Sequence, residues 1–88
     1  MNKLDDLRNK IDIIDDKILK LLSRRASISQ EIGELKKERE VVVFDKQRWQ
    51  VVLQSNLKKA EQLNLPREFI KRIYTLIHKY SLKVQKNS

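Results

Sequence analysis

Apolar residues recur along the first forty positions with a fixed beat. Leu4, Leu7, Ile11, Ile14, Ile18, Leu21, Ile28, Ile32 and Leu35 follow one another at three- and four-residue steps, with a single gap. This is the seam of a long helix that packs in coiled-coil fashion. The pattern predicts one helix from Leu4 to about Arg39, roughly 50 Å long. Asp5 and Asp6 in its first turn and Lys36, Lys37 and Arg39 in its last suit the helix dipole. In the gap between Leu21 and Ile28 the seam position holds Arg25. A guanidinium in an apolar seam is costly unless an anion meets it. No acidic residue shares its stripe within one turn. Arg25 therefore either reaches out to water or marks anion binding inside the helical core.

Beyond Arg39 the pattern changes. Val41-Val42-Val43-Phe44 is β-branched and apolar, but no second strand exists to pair with it, so it reads as an extended connector. Asp45 is a good N-cap for a second helix, Lys46 to about Leu63. Its apolar face is Trp49, Val52, Leu53, Leu57, Ala60 and Leu63. Leu65-Pro66 makes the next break, with Pro66 suited to the first turn of a third helix. That helix shows Phe69, Ile70, Ile73, Tyr74, Ile77, Tyr80 and Val84 on one broad face. The tail, 86–88, is expected to fray. The sum is a single all-α domain, residues 1–88, of three helices. A long first helix cannot fold back on itself, and so short a chain buries a small core, for which dimerisation is a common remedy.

Composition agrees with helices. Charged residues make up 36% of the chain, with one Gly, one Pro and no Cys. The lack of Cys excludes a disulfide scaffold and thiolate zinc sites and fits a cytoplasmic protein. The opening Met-Asn-Lys-Leu-Asp-Asp has no apolar signal core, and no run reaches membrane-spanning length. The net charge of +8 is uneven: residues 41–88 hold ten Lys/Arg against three Asp/Glu. A basic half suits nucleic acid, an anionic surface or a small anionic ligand. Gly33 lies inside the first helix, where it costs about 1 kcal/mol. Its use is either close approach of another backbone or ligand, or plain surface tolerance.

The informative residues are polar ones where apolar ones are expected. Lys36 is three turns after Arg25 and faces nearly the same way. Arg48 begins the second helix beside Trp49. Ser81 and Gln85 continue the Ile77 row at four-residue steps. Cations from two helices and neutral hydrogen-bonders from a third then suit a small polyanion. Arg8 lies seventeen residues before Arg25, about 25 Å along the same helix, on another face. It reaches such a pocket only from an antiparallel partner chain. His78 is the sole His, which excludes a multi-His metal site, and it reads as a surface or helix-packing residue. No Gly-rich phosphate loop exists. An enzyme built this way works without cofactor, metal or covalent catalysis, by charge placement and conformational restraint.

Taken as one ordered set, LRNKIDIIDDKILKLLSRR, IGELKKER, FDKQRW and IHKYSLKVQ resemble the all-helical class of chorismate mutases over nearly the whole chain. The resemblance implies a three-helix protomer entwined as a homodimer with two active sites. It implies the [3,3]-sigmatropic rearrangement of chorismate to prephenate, the branch-point step toward phenylalanine and tyrosine, sometimes fused or associated with another shikimate-pathway enzyme. It implies that Arg25 and Arg48 bind carboxylates and that Arg8 serves the other subunit's site. Lys36 and Gln85 would address the ether oxygen of the breaking bond. Asp45 and Ser81 would contact the ring hydroxyl and a carboxylate region. Many members carry a Glu after the arginine of the second helix, contacting the substrate hydroxyl. Here Trp49 stands there, and Trp cannot accept that bond. Trp49 is then either a substrate neighbour or plain core.

Two kinds of alternative follow. Within the family, isochorismate pyruvate-lyases lack that Glu, and aminodeoxychorismate mutases are further members. Outside it stands a basic helical module binding nucleic acid or a partner helix. The odd cations fall on inner faces, whereas a nucleic-acid binder presents them on one outer face.

Overall fold

A computed structural model describes residues 2–88. Three helices follow in order: α1, Lys3–Glu38; α2, Lys46–Gln62; and α3, Arg67–Lys86. No strand occurs among the described residues, and Val41–Phe44 is irregular connector, as the lack of a partner strand requires. Among the described residues no helix is long and apolar enough to cross a membrane.

The helix ends follow from local chemistry. Asn2 caps α1, its side-chain oxygen accepting from the Asp5 N–H at 2.8 Å. Asp45 caps α2 in the same way, accepting from the Arg48 N–H at 3.0 Å. Pro66 sits one position before α3 rather than inside its first turn and supplies no side-chain cap. Both α1 and α2 close through a left-handed residue that is not Gly. Glu40 (φ 55°) lets the Val41 N–H return to the Lys36 carbonyl at 2.8 Å and its own N–H to Lys37 at 3.2 Å. Asn64 (φ 59°) does the same for Leu65 onto Ala60, at 2.8 Å, and for itself onto Glu61, at 3.2 Å. These paired bonds satisfy the last carbonyls of each helix.

Helix α3 is central. It packs on α1 and on α2, which do not pack on each other. Against α2 it closes a small core of Leu57, Ala60 and Ile70, flanked by Leu53, Ile73 and Tyr74. Against α1 the contact is made by small residues, with Ser29 and Gly33 buried. The apolar seam is not the face that meets α3. Every seam residue from Leu4 to Leu35 is at least 40% exposed within one chain. Phe69, Tyr80 and Leu63, expected on inner faces, are also largely exposed. The reason is geometric: α1 belongs to a body 57 Å long, and of the two shorter helices only α3 packs against it.

Gly33 marks the closest approach. A Cβ there would lie 2.5 Å from the Gln85 carbonyl oxygen and 2.6 Å from its Cα. Close approach of another backbone is therefore its use. Gly33→Ala in an ordinary helix adds about 1 kcal/mol of stability. Here it forces α3 away, and overpacking of this kind costs about 1–3 kcal/mol. The expected result is a lower urea midpoint and a displaced Gln85. A Gly33→Ala protein more stable than wild type would contradict the packing.

Candidate active site

The three helices and the connector enclose a cavity of about 370 Å³. That is an ordinary size for a small-molecule site. Helix α1 contributes Arg25, Ser29 and Lys36; the connector and first turn of α2 contribute Val43, Asp45, Arg48 and Trp49; α3 contributes His78, Ser81 and Gln85. Seven of the eight residues singled out from the sequence thus line one cavity. Arg8 does not; it is exposed, far along α1 from Arg25.

A hydrogen-bonded chain fixes the polar wall. The Lys36 ammonium donates to the Val43 carbonyl at 2.7 Å and to Gln85 Oε1 at 3.0 Å. One of its three N–H groups is left for a ligand. Because Oε1 faces Lys36, the amide must turn Nε2 the other way, where it donates to Ser81 Oγ at 3.3 Å. Ser81 Oγ is in turn 2.7 Å from Ser29 Oγ. Ser29 and Ser81 are 4% and 8% exposed, so each needs the other as partner.

Charge is unbalanced in this space. Arg25, Lys36 and Arg48 face a single carboxylate, Asp45, which is exposed and caps α2. Among the described residues the one ion pair is Lys20–Asp16, on the surface of α1. The cavity therefore presents two or three cations to any anion that enters. The apolar side of the wall is aromatic. His78 stacks on Trp49 with centroids 4.1 Å apart and planes 13° apart, and Phe44 leans on it at 5.9 Å. Burial pushes the imidazole pKa below its ordinary 6.5, and the charges of Arg25 and Lys36 push it the same way.

Two lining residues are not evident as site residues from the sequence. Ser29 sits four residues after Arg25 and four before Gly33, so the row it belongs to is visible there. His78 reads as a packing residue, and it does pack, but it also faces the cavity.

The profile of a known family, described as chorismate mutase type II, matches residues 7–86. The chain belongs to that family. Among its relatives is the chorismate mutase of Methanocaldococcus jannaschii, 28% identical over 86 residues, covering 98% of this chain and 87% of the relative. The bifunctional chorismate mutase/prephenate dehydratase of Aquifex aeolicus is 30% identical over 89 residues, covering 98% of this chain. This chorismate mutase family member spans only 25% of that longer protein. Among solved structures, a conserved hypothetical protein from Pyrococcus furiosus superimposes with a TM-score of 0.77 at 32% identity, covering 98% of this chain and 99% of the other.

Proposed function

We propose that the cavity binds chorismate and rearranges it to prephenate, with Arg25, Lys36, Arg48 and Gln85 as its working residues. Family membership makes the chain an isomerase of the chorismate mutase type. Chorismate carries two carboxylates, an ether oxygen and a ring hydroxyl. The observation that carries the site assignment is the set of cations without carboxylate partners around the Lys36–Gln85 hydrogen bond. Arg25 and Arg48 take the carboxylates, since a guanidinium offers two parallel donors. Lys36 and the Gln85 amide N–H approach the ether oxygen. The long 3.3 Å bond from Gln85 to Ser81 is the one exchanged for substrate.

The reaction is a bond exchange within one molecule. The C–O bond to the ether oxygen breaks, a C–C bond forms at the other end of the six-atom array, and no proton moves. Negative charge grows on the ether oxygen as its bond stretches. A fixed ammonium beside it is bound more strongly by the transition state than by the substrate, which is the condition for a rate gain. The arginines hold the two arms in the folded conformation the reaction requires.

The bare seam of α1 supports a homodimer, with a second chain laid along it antiparallel and its Arg8 brought to this chain's cavity. Sedimentation at micromolar protein is expected to give about twice the 10.5 kDa chain mass. A compact folded monomer would contradict this.

The deciding experiment follows chorismate and isochorismate side by side with purified protein, by loss of absorbance and by pyruvate release. Conversion of chorismate to prephenate without pyruvate is expected. Pyruvate from isochorismate alone would favour the lyase chemistry that Trp49 admits. No turnover, together with DNA binding that weakens steeply with salt, would make the chain a binding module.

A further inference from the structure

Ser29 and Ser81 do not bond as hydroxyls inside helices usually do. A serine or threonine there ordinarily turns back onto the carbonyl four residues earlier. Thr75 does so, onto Lys71 at 2.7 Å, and so does Ser88 just past α3, onto Val84 at 2.8 Å. Ser29 and Ser81 turn to each other instead, across the α1–α3 contact, with their oxygens 2.7 Å apart. Both line the cavity, and Ser29 stands one turn from Arg25.

The hydrogens available decide which way that bond runs. Gln85 Nε2 donates to Ser81 Oγ at 3.3 Å. The two hydroxyls carry one hydrogen each, and only one of these lies between them. If Ser81 gave its hydrogen to Ser29, the Ser29 hydrogen would be left over in the more buried of the two places, 4% against 8% exposed. A buried donor without a partner is costly. With Ser29 as donor, Ser81 Oγ accepts from both Ser29 and Gln85. The Ser81 hydrogen is then the one left over, at the wall of a cavity rich in cations.

Resting on the chorismate reading, we infer that Ser29 is a positioning residue. It donates to Ser81 and holds that hydroxyl off its own helix, as a donor to an acceptor oxygen of the substrate. The carboxylates are the strongest acceptors there, and an oxygen bound by a guanidinium keeps a second lone-pair site. When Gln85 exchanges Ser81 for the ether oxygen, Ser29 is what still holds Ser81. Without Ser29, Ser81 turns back onto the Ile77 carbonyl, four residues earlier, as Thr75 and Ser88 turn onto theirs. The donor then leaves the cavity.

The test is a double-mutant cycle on chorismate turnover with Ser29→Ala, Ser81→Ala and the pair together. A hydrogen bond made alike by substrate and transition state appears in KM rather than kcat. Ser29→Ala is expected to raise KM by about 5- to 10-fold with kcat nearly unchanged, the usual effect of losing one hydrogen bond to a charged group. Prephenate, which keeps both carboxylates, is expected to bind more weakly by a similar factor. In the Ser81→Ala background the same change is expected to have no effect, because Ser29 acts only through Ser81. Ser29→Cys keeps the packing with a weak donor and is expected to show most of the KM rise, so lost packing in the alanine variant does not decide the result. An unchanged KM in both Ser29 variants overturns the inference. So does a penalty that persists in Ser81→Ala, and so does a fall in kcat at constant KM, which would mean that α1 had shifted and displaced Lys36. A wild-type protein inactive on chorismate fails the chorismate reading and this inference together. An active one without coupling between Ser29 and Ser81 fails this inference alone.

Discussion

Lys36→Ala is expected to lower chorismate turnover by roughly a hundred- to thousandfold, about 3–4 kcal/mol of transition-state stabilisation. The ammonium is the one group in the cavity with a full charge, a fixed position and an N–H to offer. Its position comes from two bonds, to the Val43 carbonyl at 2.7 Å and Gln85 Oε1 at 3.0 Å. Alanine removes the charge and also loosens the connector, so circular dichroism and the urea midpoint must accompany the kinetics. The fall is expected in kcat with the fold retained. A rate within tenfold of wild type would remove Lys36 from the mechanism.

Gln85→Glu tests the same pair through pH. The introduced carboxyl, once ionised, would pair with the ammonium and repel the ether oxygen. In its protonated form it would still donate. Burial raises the pKa of such a carboxyl and Lys36 lowers it. Whichever dominates, protonation is lost as pH rises, so activity of the variant is expected to fall with rising pH. Activity that climbs with pH would contradict a donor role for residue 85.

Much of this was legible in the sequence because it took the form of exceptions. Arg25 interrupts an apolar beat, and Lys36, Arg48, Ser81 and Gln85 fall in phase with inner faces. A polar residue in an apolar row has few explanations, so each one carried information. The three helices were legible for the same reason, through spacing and through Asp45. Features of low contrast were not. Ser29 is a common helix residue, and only its 4% exposure and its bond to Ser81 give it meaning. The turns at Glu40 and Asn64 use left-handed residues without Gly, so composition did not flag them. His78 looked like packing, and its partnerless Nε2 is visible only in three dimensions. Periodicity marked the α1 seam as apolar but did not tell that the chain's own helices leave it exposed.

Arg8→Ala and Lys36→Ala are each expected to be nearly inactive alone, and a mixture is expected to regain activity once subunits exchange. Arg8 is exposed and about 25 Å from Arg25 along a straight helix, so it does not reach its own cavity. In the proposed homodimer, an antiparallel partner on the seam would bring Arg8 of one chain to the cavity of the other. In a mixed dimer, the cavity of the Arg8→Ala chain keeps its own Lys36 and receives an intact Arg8 from the Lys36→Ala chain. The second cavity lacks both. Random exchange of equal amounts makes about half the dimers mixed, each with one whole site, so about a quarter of wild-type turnover should return. If Arg8 instead served its own chain, each cavity of the mixed dimer would lack one residue and no activity would return. Turnover before and after exchange, with exchange followed by mass on differently tagged chains, separates the two. Demonstrated exchange without recovery would reject the cross-subunit role of Arg8.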